Sequence, residues 1–272
     1  MVKTLITAKK HLGQNFLQNK NILDNIIGSL DLSQHDVLEI GPGPWDLTEC
    51  ILSKKPRSLT VVEIDPDMIM LLEKRFSNEK VRIFQNDVLK IDISSDTDQE
   101  NENTISMPRE YIVYGNIPYY ITSPILMHFL YDIAHAPVGM HITMQKEVAE
   151  RILARDKKHS VLSLACQLVA TITKICDIHP NNFVPVPKVW STCLRFELNR
   201  WQDRRELKKM LTIIKHGFAQ KRKKLFSNLI HAWYDARLVR DAFVSLEVSE
   251  NIRAEDLSLE EWQVLSQNIL WL

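Results

Sequence analysis

Four short segments of this chain carry residue types that could hold a nucleoside, and each stands where a β-rich apolar run stops. The first is Glu39-Ile40-Gly41-Pro42-Gly43, closing the run Val37–Ile40. Glycines there let the backbone turn sharply and approach a ligand closely, at the sheet edge where α/β proteins bind cofactors. Taken alone, a Gly-x-Gly pair is equally a tight turn. About twenty residues on, Glu63 ends Val61-Val62-Glu63, where an acid accepts hydrogen bonds from a ribose diol. An ordinary surface acid at a strand end is the competing reading. Asp87, in Gln85-Asn86-Asp87-Val88, ends a third run, so three successive strand ends present glycine, Glu and Asp on one edge. Together they predict a pocket for a nucleoside-type cofactor. The fourth segment, Gly115-Asn116-Ile117-Pro118-Tyr119-Tyr120, fits either a site or a strand-terminating turn with a packed tyrosine.

Bringing four strand ends to one edge requires a parallel sheet with crossover helices, and the pattern of the chain supplies one. Strands are expected at Val37-Ile40, Leu59-Ile64, Val81-Gln85, Tyr111-Tyr114, Met140-Met144, Ile172-Ile178 and Thr192-Leu198. Asp65 followed by Pro66, and Ser123 followed by Pro124, read as helix starts with proline at the first helical position. The acidic, amide-rich segment 94–109 reads as a mobile surface loop without chemistry. After Leu198 only helices are expected, over Arg204-His216, Lys221-Trp233, Leu238-Ser245 and Ser258-Asn268, the last opened by the capping box Ser258…Glu261. The chain therefore divides into an α/β domain, residues 1–198, and a small helical domain, residues 199–272.

The balance of 34 cations and 34 acids excludes a uniformly basic coat protein, yet the charges are segregated. Lys3, Lys9, Lys10 and Lys20 stand in a segment without acids, and the stretch from Arg200 to Lys224 is strongly cationic; acids gather in Asp92–Glu102 and Glu247–Glu261. Such segregation permits a basic face toward a polyanion, although a cation run also describes a solvated helix face. No apolar stretch is long enough to span a membrane, and Leu5-Ile6 is followed at once by Thr7, Lys9 and Lys10, which implies a cytoplasmic protein. Cys50, Cys166, Cys176 and Cys193 have neither disulfide-framework nor metal-ligand spacing and read as reduced core residues; no metal is expected.

At Asn116-Ile117-Pro118-Tyr119 the sequence resembles the adenine-N6 methyltransferases, whose motif has a specific physical task. The exocyclic amine of adenine is a poor nucleophile because its lone pair is delocalised into the ring. In the reading this resemblance implies, the Asn116 side-chain carbonyl and the next backbone carbonyl, at Ile117, accept both N–H bonds and favour a pyramidal nitrogen. Pro118 fixes the backbone, and Tyr119 stacks on a base unstacked from its neighbours.

Further marks narrow the resemblance to the KsgA-type ribosomal RNA small-subunit adenine-N6,N6 dimethyltransferases, over nearly the whole chain. They are Lys9-Lys10-His11-Leu12-Gly13-Gln14-Asn15-Phe16-Leu17, Gln145-Lys146-Glu147-Val148, Phe183-Val184-Pro185-Val186-Pro187-Lys188-Val189 with Ser191, Phe218 to Lys224, and Arg253-Ala254-Glu255-Asp256-Leu257. The resemblance implies a class I, Rossmann-like methyltransferase fold with a seven-stranded doubly wound sheet and a helical C-terminal domain completing an RNA-facing cleft. It implies S-adenosyl-L-methionine as cofactor, held by Asn15, Leu17, Gly41, Gly43, Glu63, Ile64, Asp87, Val88 and Asn116. Phe183 is implied as a second aromatic beside the target base, opposite Tyr119, and Lys9, Lys10, Lys188, Lys221, Arg222, Lys223 and Lys224 as RNA contacts. The implied substrate is two adjacent adenosines near the 3′ end of small-subunit (16S) rRNA in a pre-30S particle, as part of ribosome biogenesis.

Two positions depart from the family pattern. Trp45 stands where a third, small residue of the glycine loop is usual, and His159-Ser160-Val161 replaces a segment that carries an arginine. The Trp45 indole either turns away from the cofactor or forms part of its wall. Alternative readings are a macrolide-resistance type of large-subunit (23S) rRNA adenine methyltransferase, which shares the Asn-Ile-Pro-Tyr motif, and a noncatalytic RNA-binding assembly or transcription factor with the same fold. A NAD-dependent dehydrogenase is disfavoured, because Asp46 occupies the place of the third glycine of its fingerprint and no hydride-transfer constellation follows.

Overall fold

In a computed structural model of the protein, the described residues are 7–28, 30–107, 109–155, 158–199 and 203–270, the Leu270 side chain excepted. Lys3, Leu5, Ile6 and Arg200, noted above, lie outside them. The chain forms two compact units, one of 1–149 with 171–198 and one of 150–170 with 199–272.

In chain order the elements of the first unit are β1 (Phe16–Leu17), α1 (Lys20–Ile27), β2 (Asp36–Ile40), α2 (Asp46–Ser53), β3 (Ser58–Glu63), α3 (Pro66–Arg75), β4 (Val81–Gln85), β5 (Asp92–Ser94), β6 (Thr104–Ser106), β7 (Tyr111–Asn116), α4 (Thr122–Met127) and β8 (Gly139–Gln145). Helices α5 (Lys146–Leu153) and α6 (Val161–Val169) follow, then β9 (Ala170–Ile178), β10 (Phe183–Val184) and β11 (Ser191–Leu198). Seven strands form one sheet in the order β4-β3-β2-β7-β8-β11-β9, parallel from β4 to β8, with β11 antiparallel to β8. Strands β2 and β7 are buried along their length, β7 up to its terminal Asn116, as expected of parallel strands covered on both faces. The chain builds outward from β2 through β3 to β4, then crosses to β7 on the other side of β2. That reversal leaves a crevice at the carboxyl ends of β2 and β7, the place where open α/β sheets bind ligands.

Helix α3 begins as expected, with Asp65 capping the Asp67 N–H and Pro66 at the first helical position. The expected start at Ser123-Pro124 is corrected: a 3-10 turn over Tyr119–Ile121 intervenes and α4 begins at Thr122 without a side-chain cap. Segment 94–109 is also more built than a mobile loop. Strands β5 and β6 pair in parallel, Ile93, Ile105 and Met107 are fully buried, and the Arg82 guanidinium ties Thr60, Glu100 and the Ser106 carbonyl together. Those few apolar side chains, spread along a polar segment, are enough to anchor it.

The second unit contains α6, α7 (Arg204–Gly217), α8 (Leu225–His231), α9 (Ala236–Ser245) and α10 (Leu259–Leu270). Its buried centre is Trp262, whose indole N–H donates to the Ala254 carbonyl and whose ring fits only because residue 217 is glycine: a Cβ there would stand 2.4 Å from it. The Ser258…Glu261 capping box forms in both directions. Helix α6 packs on α7 and α10, and the His159 N–H donates to the Glu255 carbonyl, so residues 150–170 fold with the C-terminal helices rather than with the sheet. The expected helix from Lys221 starts only at Leu225. Lys221 to Lys224 form an exposed turn before it.

Candidate active site

At the carboxyl ends of β2, β3, β4 and β7 lies a cavity of about 280 Å3. Asn15, Leu17, Gly41, Gly43, Glu63, Ile64, Asp87, Val88 and Asn116 all line it, as do Ile117, Pro118 and Tyr119. The sheet register explains the convergence, since Ile40 stands beside Val62 of β3 and Gly115 of β7.

The glycine loop is shaped by the ring of Phe16. Gly43 has φ +51°, and a Cβ there would meet that ring at 2.9 Å, so both the backbone conformation and the contact exclude a side chain. At Gly41 a Cβ would meet nothing within 4 Å, so the backbone faces open space beside the cavity. Trp45 is also left-handed, at φ 58°, a conformation costing a non-glycine residue about 1–2 kcal/mol. Its indole turns away from the cavity and is buried against Leu72 and Phe76, with Leu52, Leu71, Val81 and Ile83 around them. Burial of a large aromatic surface offsets that backbone cost.

The Glu63 carboxylate accepts the Ile64 and Asp65 N–H groups, each at 2.9 Å. Burial raises its pKa, and the Asp65, Gly43 and Ile64 amides act against that rise. Asp87 is held by the Leu89 N–H at 3.1 Å. Glu39, to which the sequence motifs assign no role, is the charged residue of the otherwise apolar end of β2. It is fully buried, lines the cavity and has neither oxygen hydrogen-bonded; the Thr48 hydroxyl stands close, in a geometry short of a hydrogen bond. Burial pushes its pKa up to about 8. A preorganised carboxylate at Glu63, an orphaned carboxyl at Glu39 and open glycine backbone suit a polar, nucleoside-bearing ligand such as S-adenosylmethionine.

The segment Leu12 to Leu17 closes the cavity. It is fastened at both ends: the Lys9 ammonium pairs with Asp65 and Asp67 at 2.6 Å each, Gln14 donates to Asp65, and β1 pairs with β10. Burial alone would raise the Asp65 pKa, but Lys9, the Asp67 N–H and Gln14 together bring it below the usual carboxylate value. Lys9 is thus held by two carboxylates and ties the segment to the start of α3. Gly13 and Gln14, members of the opening motif with no role of their own in the sequence, are cavity-lining residues as well; a Cβ on Gly13 would meet the Tyr120 ring at 2.9 Å and Pro118 at 3.3 Å.

Within this frame Asn116 has a defined orientation. Its Nδ2 donates to the Asn15 carbonyl at 2.8 Å, which fixes Oδ1 as the end left to accept a donor. The Tyr119 hydroxyl and Ser191 Oγ are 2.7 Å apart, holding a partly exposed ring at the cavity edge. Burial raises the Tyr119 pKa, opposed by Ser191, so the ring stays neutral. Phe183 is not brought to the cavity. Its ring is fully buried among residues that include Leu17 and Leu23, and it stacks on nothing from outside in this conformation. Lys10, Lys188 and Lys221 to Lys224 are exposed. Among the described residues no cluster of His, Cys, Asp and Glu could hold a metal ion, and no helix is long and apolar enough to cross a membrane.

Sheet order, crevice and the amide-bearing loop at the end of β7 define a class I methyltransferase. The chain belongs to the ribosomal RNA adenine dimethylase family, whose profile matches residues 6–269. Relatives named ribosomal RNA small subunit methyltransferase A are 33% identical in Mycoplasma mobile, over 94% of this chain and 96% of the relative, and 34% identical in Thermosynechococcus vestitus, over 97% of each. Among solved structures, a dimethyladenosine transferase from Plasmodium falciparum superposes with a TM-score of 0.73 at 23% identity, covering 92% of this chain and 95% of the other. The 23S rRNA methyltransferase ErmE superposes at 0.72 and 22%, covering 94% and 99%. These two likenesses show the fold.

Proposed function

We propose that this chain uses S-adenosyl-L-methionine to place two methyl groups on N6 of each of two adjacent adenosines near the 3′ end of small-subunit rRNA, in a pre-30S particle in the cytoplasm. The observation that carries the reading is the locked Asn116 amide at the rim of the cavity. For the first methyl, its Oδ1 and the Ile117 carbonyl accept the two N6 hydrogens of an adenine whose face rests on Tyr119; for the second, one of them accepts the hydrogen that remains. Localising the lone pair on nitrogen makes the amine nucleophilic, and catalysis is then positioning and electrostatics. When bound, the cofactor supplies an electrophilic sulfonium methyl. After transfer the surplus N6 proton passes to solvent, and no side chain in the cavity need act as general base.

Asn15, Leu17, Gly41, Gly43, Glu63, Ile64, Asp87 and Val88 would hold the cofactor, with its ribose at Glu63 and its adenine near Asp87. Lys10, Lys188 and Lys221 to Lys224 would meet RNA phosphates. The small-subunit substrate is favoured over the 23S alternative by relatives of that name matched over nearly their full length. Incubating the protein with labelled cofactor and undermethylated ribosomal RNA, then digesting the RNA to nucleosides, tests the chemistry. N6,N6-dimethyladenosine is expected; label on any other atom, or none, refutes it.

A further inference from the structure

The first unit presents a second aromatic surface that no part of the proposed reaction uses. Trp190 precedes Ser191, the residue that holds the Tyr119 hydroxyl, and 46% of its surface is open to solvent. Its surroundings are built rather than loose. The Trp190 carbonyl accepts the Lys146 N–H at 2.9 Å, the Lys146 ammonium lies 5.5 Å from the indole centroid, and the His179 ring meets the indole edge-on at 4.8 Å. Asp177 positions this group, bonding Thr192 at 2.7 Å and pairing with Lys146 at 3.0 Å and Lys174 at 3.2 Å. Two lysines thus share one carboxylate, and a third, the exposed Lys188, stands two residues before Trp190 in the sequence. Val184, Val186 and Val189 leave apolar surface open on the same segment.

An exposed indole beside lysines that outnumber their one carboxylate has the chemistry of a base-stacking platform: a π-face for the base and ammonium groups for its phosphates. A purely apolar protein partner would leave the excess lysine charge unmatched. We infer that Trp190 stacks on an unpaired base of the RNA substrate, next to the adenine held at Tyr119. This rests on the RNA-methylating reading above. Extruding the target adenine leaves its neighbour without one stacking partner, and a second platform a short distance along the strand supplies the missing contact. Trp190 would thereby select for a purine or other well-stacking base beside the target and hold the strand in register for transfer.

The test compares Trp190→Ala, Trp190→Leu and Trp190→Phe with the parent on undermethylated small subunits. Loss of one stacked base should raise KM for RNA about fivefold or more in the Ala and Leu variants. Phe should stay within about twofold of the parent, because it keeps a π-face, whereas Leu keeps only apolar volume. Unchanged cofactor affinity checks that the fold is intact. As a direct readout, a single-stranded RNA carrying 2-aminopurine beside the target adenine should be quenched by the parent and by Phe, and much less by Ala. An active parent with Ala equal to it, or with Leu as effective as Phe, overturns the stacking role. An inactive parent would instead overturn the wider reading on which it rests.

Discussion

The Asn116 side-chain amide donates to the backbone carbonyl of Asn15, 101 residues earlier, at 2.8 Å. One end of the reactive-loop amide is therefore spent on orientation, and the other is left for substrate. Asn116→Ala should lower kcat by about a hundredfold or more while cofactor affinity stays within about tenfold. Gly13→Ala strikes the same arrangement indirectly, through its φ of +63° and its contact with Tyr120, and should lower kcat with intact Asn116. Single-turnover methylation with parallel calorimetric titration of cofactor checks both; near-native turnover of Asn116→Ala contradicts the mechanism.

Lys9 is paired with Asp65 and Asp67, so Lys9→Met should loosen the segment that closes the cavity. KM for cofactor should rise severalfold while RNA affinity and its salt dependence are retained. The opposite pattern, weaker RNA binding at unchanged cofactor affinity, would make Lys9 an RNA contact instead.

Trp45→Gly relieves a left-handed backbone but removes a buried indole. Truncating a core tryptophan costs about 3–5 kcal/mol and the backbone returns about 1–2, so a net loss of about 2 kcal/mol is expected by denaturant unfolding. Cofactor affinity should stay within about tenfold, because the indole lies outside the cavity wall. A glycine variant that binds cofactor far more tightly than the parent would make the indole a plug.

Replacing Lys221, Arg222, Lys223 and Lys224 with Gln should weaken RNA binding and flatten its dependence on salt, by about 0.7–0.9 in the logarithmic slope for each phosphate no longer neutralised. These side chains are exposed and form no ion pair with another described residue. Fluorescence titrations across a salt series read the slope, and an unaltered slope would leave the turn a solvated surface.

Glu39 makes stability depend on pH across the neutral range. Its pKa is about 8 when folded, against an ordinary value of 4.5, so between these values the folded chain holds a proton that the unfolded chain has lost. Stability therefore falls as pH rises through that interval and stays reduced above it. Glu39→Gln abolishes the titration, and its Tm relative to the parent should climb between about pH 5 and about pH 9. A constant difference across that range would mean that Glu39 is ionised throughout.

The seven strands are legible in the sequence because each is a short β-rich run with a helix or turn signal after it, and the strand-end positions follow from that alternation. Glu63, Asp87 and Asn116 converge because parallel strands all end on one edge. What escapes a local reading depends on partners far along the chain. Lys9 finds Asp65, Trp45 finds Leu72 and Phe76, and Phe183 is buried by pairing with the strand that holds Leu17. Segment 94–109 reads as a loop because its two buried apolar residues, Ile105 and Met107, give no periodic signal along a polar stretch. Glu39 is visible as an acid in an apolar strand, but its lack of partners is a property of the fold alone.

The position of the methyl groups tests the proposed activity most directly. Undermethylated small and large subunits, incubated separately with the protein and labelled cofactor, are mapped for modified nucleotides by primer extension and mass spectrometry. Two adjacent N6,N6-dimethyladenosines are predicted near the 3′ end of the small-subunit rRNA, and none in the large subunit. Methylation confined to the large subunit, or its absence from both, would contradict the proposed function.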